Sequence, residues 1–198
     1  MANTGEPTVF GAAALDAAAF DAAEFDVVVE IPKGQRNKYE MDHAIGRIRL
    51  DRCLFTATSY PADYGYIENT LALDGEPLDA MVLIDEPTFP GCVVRCRPLG
   101  MLCMVDESGR DNKVLCVPAG DTRLEQLRDI MHVPEFDKLE IQHFFTVYKD
   151  LDPDKAVEGE VSWVGRSVAE AEIERAHHRA GERRAARSAG STGGEDGP

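Results

Sequence analysis

Three carboxylates, Asp74, Glu76 and Asp79, lie within six residues of one another, directly before the apolar run AMVLI. That run has the composition of a buried strand, and unpaired negative charge next to a protein core is costly. Like charges this close raise one another's pKa unless cations neutralise them. The segment therefore predicts a site for positively charged ligands.

Acidic residues recur where other strand-like segments end or are interrupted. Glu30 interrupts VVVEIP, and Glu40 lies in the next segment. Asp106 ends GMLCMVD, and Asp111 follows five residues later. Each carboxylate taken alone fits a solvated turn or edge, but their recurrence predicts that one face of a sheet gathers negative charge.

Oxygen ligands of this kind select Mg²⁺, Mn²⁺ or Ca²⁺ rather than zinc or copper. An EF-hand loop counted from Asp74 fails, because its sixth position would be Asp79 instead of Gly and its twelfth Asp85 instead of Glu. Cations held by the acids, together with basic and phenolic groups, would suit a multiply charged phosphate ligand. The interleaved candidates are Lys38, Tyr39, Arg52, Tyr60, Tyr64, Lys113, Tyr148 and Lys149.

The chain of 198 residues carries 36 acidic and 21 basic side chains, a formal net charge of −15. A field of that sign repels nucleic acid and anionic lipid, so we expect neither as a partner. The N-terminal segment has no Lys or Arg before Lys33, unlike a signal or transit peptide, and no stretch is apolar enough to span a bilayer. The five cysteines of the chain form no CxxC pair, which favours buried reduced thiols over the alternative of a zinc site. Reduced thiols indicate a cytoplasmic protein.

Residues 25–118 have the pattern of short strands. FDVVVEIP ends at Pro32, KYEMDHAIGRIRLD predicts a hairpin that turns at Gly46, and three β-rich segments follow, DAMVLID, CVVRCRPLGMLCMVD and NKVLCVP. Residues 1–24 predict a disordered or frayed acidic, Ala-rich extension, and 188–198 a disordered tail. The folded unit is then a single domain over residues 25–187.

Three helices are predicted after the strands. DTRLEQLRDIM has a cap-like Asp121 and an apolar stripe, and a second helix starts after Pro134. A short strand at EVSWV precedes a final helix with a capping box formed by Ser167 and Glu170. The two stripes comprise Leu124, Leu127 and Met131, then Phe136, Leu139, His143, Phe144 and Val147. Strands followed by segregated helices predict an α+β fold whose strands close into a small barrel.

Six co-linear segments make the chain from about Phe25 to Arg175 resemble the bacterial type of family I soluble inorganic pyrophosphatases. They are VEIPKGQRNKYE, RLDR, YPADYGYI, DGEPLDA, MVDESGRDNKVLCVP and HFFTVYKDLDP. The resemblance implies a closed five-stranded OB-like barrel flanked by two main helices plus a C-terminal helix. It also implies a homohexamer that uses several Mg²⁺ ions per active site, accepts Mn²⁺ and is inhibited by Ca²⁺.

The resemblance also implies a role for individual residues. Glu76 takes the position that activates the attacking water and also binds metal, and Tyr64 supplies a phenol near that water. Glu40 and Asp63 would form polar surroundings of the site. The implied metal ligands are Glu30, Asp74, Glu76, Asp79, Asp106 and Asp111, and the implied phosphate-binding residues are Lys38, Arg52, Lys113, Tyr148 and Lys149.

The chain departs from the family pattern at Glu76, where the family has Asp. Glu keeps the charge but reaches about one methylene further, and a misplacement of about 1 Å can cost on the order of 100-fold in rate. The resemblance predicts hydrolysis of pyrophosphate by water activated between Mg²⁺ ions. The alternatives are a phosphate-ligand binding protein whose catalysis is weakened at Glu76, and an OB-type oligonucleotide binder, which the net charge disfavours.

Overall fold

The computed structural model describes residues 23–107, 109–153 and 157–191. The bounds of the nine strands described are β1 Phe25–Ile31, β2 Asn37–Asp42, β3 Arg47–Cys53, β4 Asp63–Ile67, β5 Asp79–Val82, β6 Val93–Asp106, β7 Gly109–Arg110, β8 Lys113–Pro118 and β9 Val157–Gly165. Helix α1 spans Glu135–Val147 and α2 spans Arg166–Ser191. The predicted extension falls almost wholly outside the described residues, as does the tail beyond Ser191, whereas residues 188–191 belong to α2.

Five strands form a closed ring of hydrogen-bonded neighbours in the order β1, β4, β5, β8, β6 and back to β1. The β5–β8 pair is parallel, and the other four pairs in the ring are antiparallel. β7 and β9 extend the sheet from β6. Gly65 lies where β4 crosses β1 closely, since a Cβ there would meet the carbonyl oxygen of Val28 at 1.9 Å.

Alternate residues of the ring pack against different helices, as the period of two along a strand requires. Leu115 of β8 belongs to a core cluster that includes Phe144 and Phe145 of α1. Val114 of the same strand belongs to a second cluster that includes Ile173 of α2. The ring is thus buried along its length, while its strand ends remain available for polar side chains.

The predicted hairpin is confirmed as β2 and β3, which form a separate two-stranded sheet. Gly46 closes its turn with φ of 62° and donates its N–H to the carbonyl oxygen of Asp42 at 2.8 Å. Glu30 of β1 binds this hairpin to the ring, because its carboxylate accepts the N–H of Met41 at 2.6 Å. The hairpin can therefore form one wall of a cavity over the ring.

The helix predicted at DTRLEQLRDIM is wrong, because the segment forms two short 3₁₀ turns, Thr122–Leu124 and Ile130–His132. A helix would pair the Met131 N–H with the Leu127 carbonyl. The Asp129 carboxylate accepts that N–H instead, and the Arg97 guanidinium donates to that carbonyl. The donor and the acceptor of this helical hydrogen bond thus each have another partner.

The other two helices are confirmed, with corrections in detail. Helix α1 follows Pro134, but Phe136 and Leu139 of its predicted stripe face solvent, and its buried residues are Ile141, Phe144 and Phe145. The capping box at Ser167 is also wrong, since α2 begins one residue earlier and the N–H of Arg166 is donated to the Asp129 carboxylate at 3.0 Å. No helix in the described part of the chain is both long and apolar enough to cross a membrane.

Candidate active site

A cavity of about 380 Å³ opens between one end of the ring and the β2–β3 hairpin. Its walls combine carboxylates, phenols and a lysine from separate parts of the chain. The lining residues used below are Glu30, Lys38, Tyr39, Glu40, His43, Tyr64, Tyr66, Glu76 and Asp79. Glu30, Glu40 and Asp79, from three separate strands, therefore converge on one cavity, whereas Asp106 and Asp111 do not line it.

Glu30 points from β1 into this cavity. Burial raises the pKa of its carboxyl group to about 7, the N–H of Met41 opposes that shift, and the charges of Asp79 and Glu40 add to it. Such a group is only partly ionised at neutral pH, because burial makes its charged form unfavourable. A cation beside it would stabilise the charged form.

Lys113 connects two of the predicted metal ligands. Its ammonium donates to Asp79 Oδ2 at 2.9 Å and to Asp111 Oδ1 at 2.6 Å, and its side chain is 1% exposed. Burial alone would lower the pKa of the Lys113 ammonium, but the negative charges of Asp79 and Asp111 have the larger effect and raise it. The Tyr64 hydroxyl donates to the same Asp79 oxygen, and burial keeps the pKa of Tyr64 well above its usual value.

Lys149 makes a similar pair after the end of α1. Its ammonium donates to Asp106 Oδ2 at 2.7 Å and to Glu107 Oε2 at 3.1 Å. Burial lowers the pKa of Lys149, but Tyr148, Asp106 and Glu107 together have the larger effect and raise that pKa to about 12. The pKa of Asp111 is raised by burial and by the negative charge of Asp79, and the charge of Asp106 raises it as well. The two lysine–carboxylate pairs thus belong to one electrostatic neighbourhood.

Arg52 of β3 is held in place by acids on both sides. Its guanidinium donates to Asp51 Oδ2 at 2.5 Å and to Asp152 from the segment after α1. Lys38 pairs with Glu40 and lies 3.5 Å from the same Asp51 oxygen. Lys38 therefore lines the cavity, and the shared Asp51 carboxylate joins Arg52 to it.

Glu76 reaches the cavity from a tight turn on the solvent side. Gly75 has φ of 93°, and the N–H of Glu76 donates to Asp74 Oδ1 at 3.0 Å. Both acidic side chains are exposed. Among the described residues, Glu76 is the one predicted metal ligand with a recorded contact to Asp74, so the structure brings four of the strand-end acids together and leaves Asp74 apart from them.

Asp63 is fully buried and connects two loops. Its carboxylate accepts the N–H of Lys33 at 2.7 Å and the N–H and hydroxyl of Thr88 at 2.9 and 2.6 Å. It does not line the cavity. The recorded contacts of Asp63 are therefore those of a structural residue under the site.

A divalent cation such as Mg²⁺ needs several oxygen ligands gathered around it. Within residues 23–107, 109–153 and 157–191, no group of three or more His, Cys, Asp or Glu side chains is gathered closely enough to hold an ion as it stands. The lysines at Asp79, Asp111 and Asp106 occupy oxygens that such an ion would need. The oxygen-only composition and the buried charge of Glu30 nevertheless fit a hard cation.

Sequence reasoning missed three acids that position the cations of the site. Asp51 and Asp152 hold Arg52, and Glu107 shares Lys149 with Asp106. Asp51 and Asp152 lie inside the segments RLDR and HFFTVYKDLDP, so the signal was present there. The pairing itself could not be found, because Arg52 and Asp152 are 100 residues apart in the chain.

Comparison with known proteins gives a consistent result. Residues 27–181 match the sequence profile of the family described as Inorganic pyrophosphatase. The chain is 69% identical over 153 residues to the Inorganic pyrophosphatase of Streptomyces coelicolor, covering 77% of this chain and 93% of that one. It is 55% identical over 131 residues to that of Leifsonia xyli, covering 66% and 80% of the two chains. The crystal structure of the Thermus thermophilus inorganic pyrophosphatase superposes with a TM-score of 0.76 at 46% identity, over 83% of this chain and 94% of that one.

Proposed function

The chain belongs to the inorganic pyrophosphatase family and hydrolyses pyrophosphate to two orthophosphate ions, and we propose how its side chains divide that work. The proposal is carried by one observation. The carboxylates of Glu30 and Asp79 line one cavity with Lys38 and Tyr64, and Lys113 links Asp79 to Asp111 beside it.

Glu30, Asp79, Asp106 and Asp111 would hold the divalent cations, with Asp74 and Glu76 completing the set from the rim. Bound Mg²⁺ lowers the pKa of a coordinated water and stabilises charge on phosphate oxygens. Asp111 Oδ1 and Asp106 Oδ2, which accept hydrogen bonds from Lys113 and Lys149 in this structure, would bind the cations. Tyr64 holds the orientation of Asp79 through its hydroxyl.

The basic side chains would bind the phosphate groups. Lys113 and Lys149 have raised pKa values, so both remain protonated at neutral pH and can share their N–H donors with substrate oxygens. Arg52, Lys38 and Tyr148 add donors beside them. Glu76 takes the proton of the attacking water at its carboxylate, and its exposed turn leaves room for the extra methylene.

Phosphate release from pyrophosphate by the purified protein tests this assignment. We expect release with Mg²⁺ and none above the blank after a chelator is added. Mn²⁺ should replace Mg²⁺, whereas Ca²⁺ should inhibit, because Ca²⁺ tolerates longer and less regular coordination than the site requires. Release that continues in the chelator would contradict the assignment.

The alternative, a phosphate-binding protein with catalysis weakened at Glu76, is not favoured by the relatives, which are named as pyrophosphatases. Glu76→Asp distinguishes the two. No gain in rate indicates a site adapted to Glu, whereas a gain of about tenfold or more would indicate an impaired site.

Three finer predictions stay proposals. The closed ring of five strands supports an OB-like barrel. Exposed apolar residues on and before α1, Met131, Phe136 and Leu139, support a homo-oligomer, which the resemblance predicts to be a hexamer. Free thiols at all five cysteines support a cytoplasmic location, which fluorescence of a tagged chain in cells would check.

A further inference from the structure

A second cavity, of about 540 Å³, lies between the turn that carries Glu76 and the C-terminal half of α2. His43, Glu76 and Pro77 line both this cavity and the catalytic one, so the two are neighbours that share a wall. We refer to the second cavity as the α2 groove. None of the roles assigned above uses it.

Three arginines of α2, Arg183, Arg184 and Arg187, line the α2 groove. They lie at helical positions i, i+1 and i+4, where like charges destabilise a helix unless an anion is close. Among the described residues that line the groove, only Glu76 is acidic. The groove therefore carries net positive charge in a chain whose formal charge is −15.

These arginines form no ion pair with the described residues, although acids outnumber bases along the chain. Arg183 Nη1 donates to the carbonyl oxygen of Gly75 at 2.9 Å, and Arg184 Nη1 donates to Asn69 Oδ1 at 2.9 Å. Arg187 makes no recorded hydrogen bond or ion pair within the described residues. By contrast, Arg175 and Arg179 on the same helix both bind Glu172.

A guanidinium has five N–H donors, and each neutral partner above uses only one. The remaining donors of three neighbouring guanidinium groups face a cavity where Glu76 is the one acid among the described lining residues. Such clusters recognise oxyanions, because charge-assisted hydrogen bonds from Arg to phosphate are short and frequently bidentate.

We propose that Arg183, Arg184 and Arg187 form a second phosphate site in the α2 groove, beside the catalytic cavity. Its ligand is a free orthophosphate ion or the far phosphate of a polyphosphate chain longer than pyrophosphate. The choice of phosphate among oxyanions rests on the proposed function. Bound anion would also connect α2 to the turn that carries Glu76, since Arg183 already contacts Gly75.

Residue-resolved modification of arginine with phenylglyoxal tests the site without turnover. The full chain is modified in chelator, with orthophosphate, tripolyphosphate or sodium chloride at matched ionic strength, and each arginine is followed by peptide mass spectrometry. We expect orthophosphate to protect Arg184 and Arg187 and to leave the exposed Arg175 and Arg123 unprotected. Protection by tripolyphosphate alone would assign the site to the far end of a longer chain.

The variant Arg187→Gln makes the test quantitative, because Arg187 has no recorded partner in the described structure whose loss would disturb the fold. The phosphate concentration that half-protects Arg184 should rise by about tenfold, the effect of losing one hydrogen bond to a charged group. Arg175→Gln, which removes the same charge from the same helix, should leave it unchanged.

The proposal is overturned if neither phosphate anion protects the groove, if Arg175 is protected equally, or if Arg187→Gln behaves as the wild type. Each of these results would stand whether or not the protein hydrolyses pyrophosphate, since no hydrolysis is measured. Conversely, protection in a protein that released no phosphate would leave the α2 groove intact and remove only the proposed catalytic function.

Discussion

Glu30 sets the electrostatics of the catalytic cavity. Its carboxylate is mostly removed from water and faces the acids Asp79 and Glu40, with one N–H donor from Met41 to compensate. The pKa of about 7 in the folded protein compares with an ordinary value of 4.5. Between these values the folded chain holds a proton that the unfolded chain has released.

This difference predicts how stability changes with pH in the metal-free protein. The stabilisation from Glu30 is fully present below pH 4.5 and is lost as pH rises through 7, because the folded state then binds more protons than the unfolded state. Its size is at most about 3 kcal/mol. Urea unfolding in chelator should show a steeper fall over this window for the wild type than for Glu30→Gln. Equal slopes would contradict the assignment, and Mg²⁺ should flatten the wild-type slope.

Glu76 offers a second test at a single side chain. Glu76→Gln keeps the size of the group but removes its ability to accept a proton. Phosphate release should therefore fall by about 100-fold or more. Glu86→Gln, at another exposed acid that lines neither cavity described here, should leave the rate unchanged. A Glu76→Gln rate close to the wild-type rate would show that another group takes the proton.

Among the elements, the 3₁₀ turn at Ile130–His132 joins parts of the fold that are distant in sequence. Asp129 accepts the N–H of Met131 within the turn and the N–H of Arg166 at the start of α2. The Asp129 carboxylate thus accepts backbone N–H groups from two elements. The first N–H groups of a helix have no partner within the helix, so such an acceptor stabilises its start.

We expect Asp129→Ala to lower the free energy of unfolding by about 2 kcal/mol, since two backbone donors lose their acceptor. Asp121→Ala, which removes the cap of the other 3₁₀ turn and its ion pair with the exposed Arg123, should cost about 1 kcal/mol or less. Chemical denaturation of both variants measures the difference. Equal costs would mean that the contact with α2 contributes nothing.

Most of the strands were predictable because their signal is local. Alternation and turn residues located the ring strands β1, β5, β6 and β8 and the hairpin, whereas β4, in YPADYGYI, was not predicted as a strand. The failed helix at 121–131 depended on Arg97, which is about 30 residues away and binds its carbonyl groups. The pairing of Arg52 with Asp152 was hidden for the same reason, since a long-range contact leaves no pattern in either segment.

Across the whole molecule, an exposed apolar surface accompanies a strongly acidic chain. Phe136 and Met131 are each 75% exposed and Leu139 is 53% exposed, and Phe136 and Leu139 are neighbours on α1 at i and i+3. Apolar groups exposed together are typical of contacts between subunits. These exposed apolar side chains are the observation that supports the proposed homo-oligomer.

The variant Phe136→Ser should weaken or dissociate that oligomer without unfolding the subunit, because the side chain contributes little to the core. Sedimentation velocity of the wild type should give a species larger than the 21.7 kDa monomer, and the variant should shift toward the monomer. Phe89→Ser, 65% exposed on the loop before β6, serves as the matched control. A monomeric wild type would contradict the proposal.

We infer that acids from distant strands together hold the divalent cations that hydrolysis needs. Direct titration with Mn²⁺, with the free ion counted by its electron paramagnetic resonance signal, measures this without any turnover. We expect saturable uptake by the wild type and an affinity about tenfold or more weaker in Asp79→Asn. Asp85→Asn, at an exposed ion pair, should leave the affinity unchanged. Uptake by Asp79→Asn that matches the wild type, or no uptake by either, would contradict the inference.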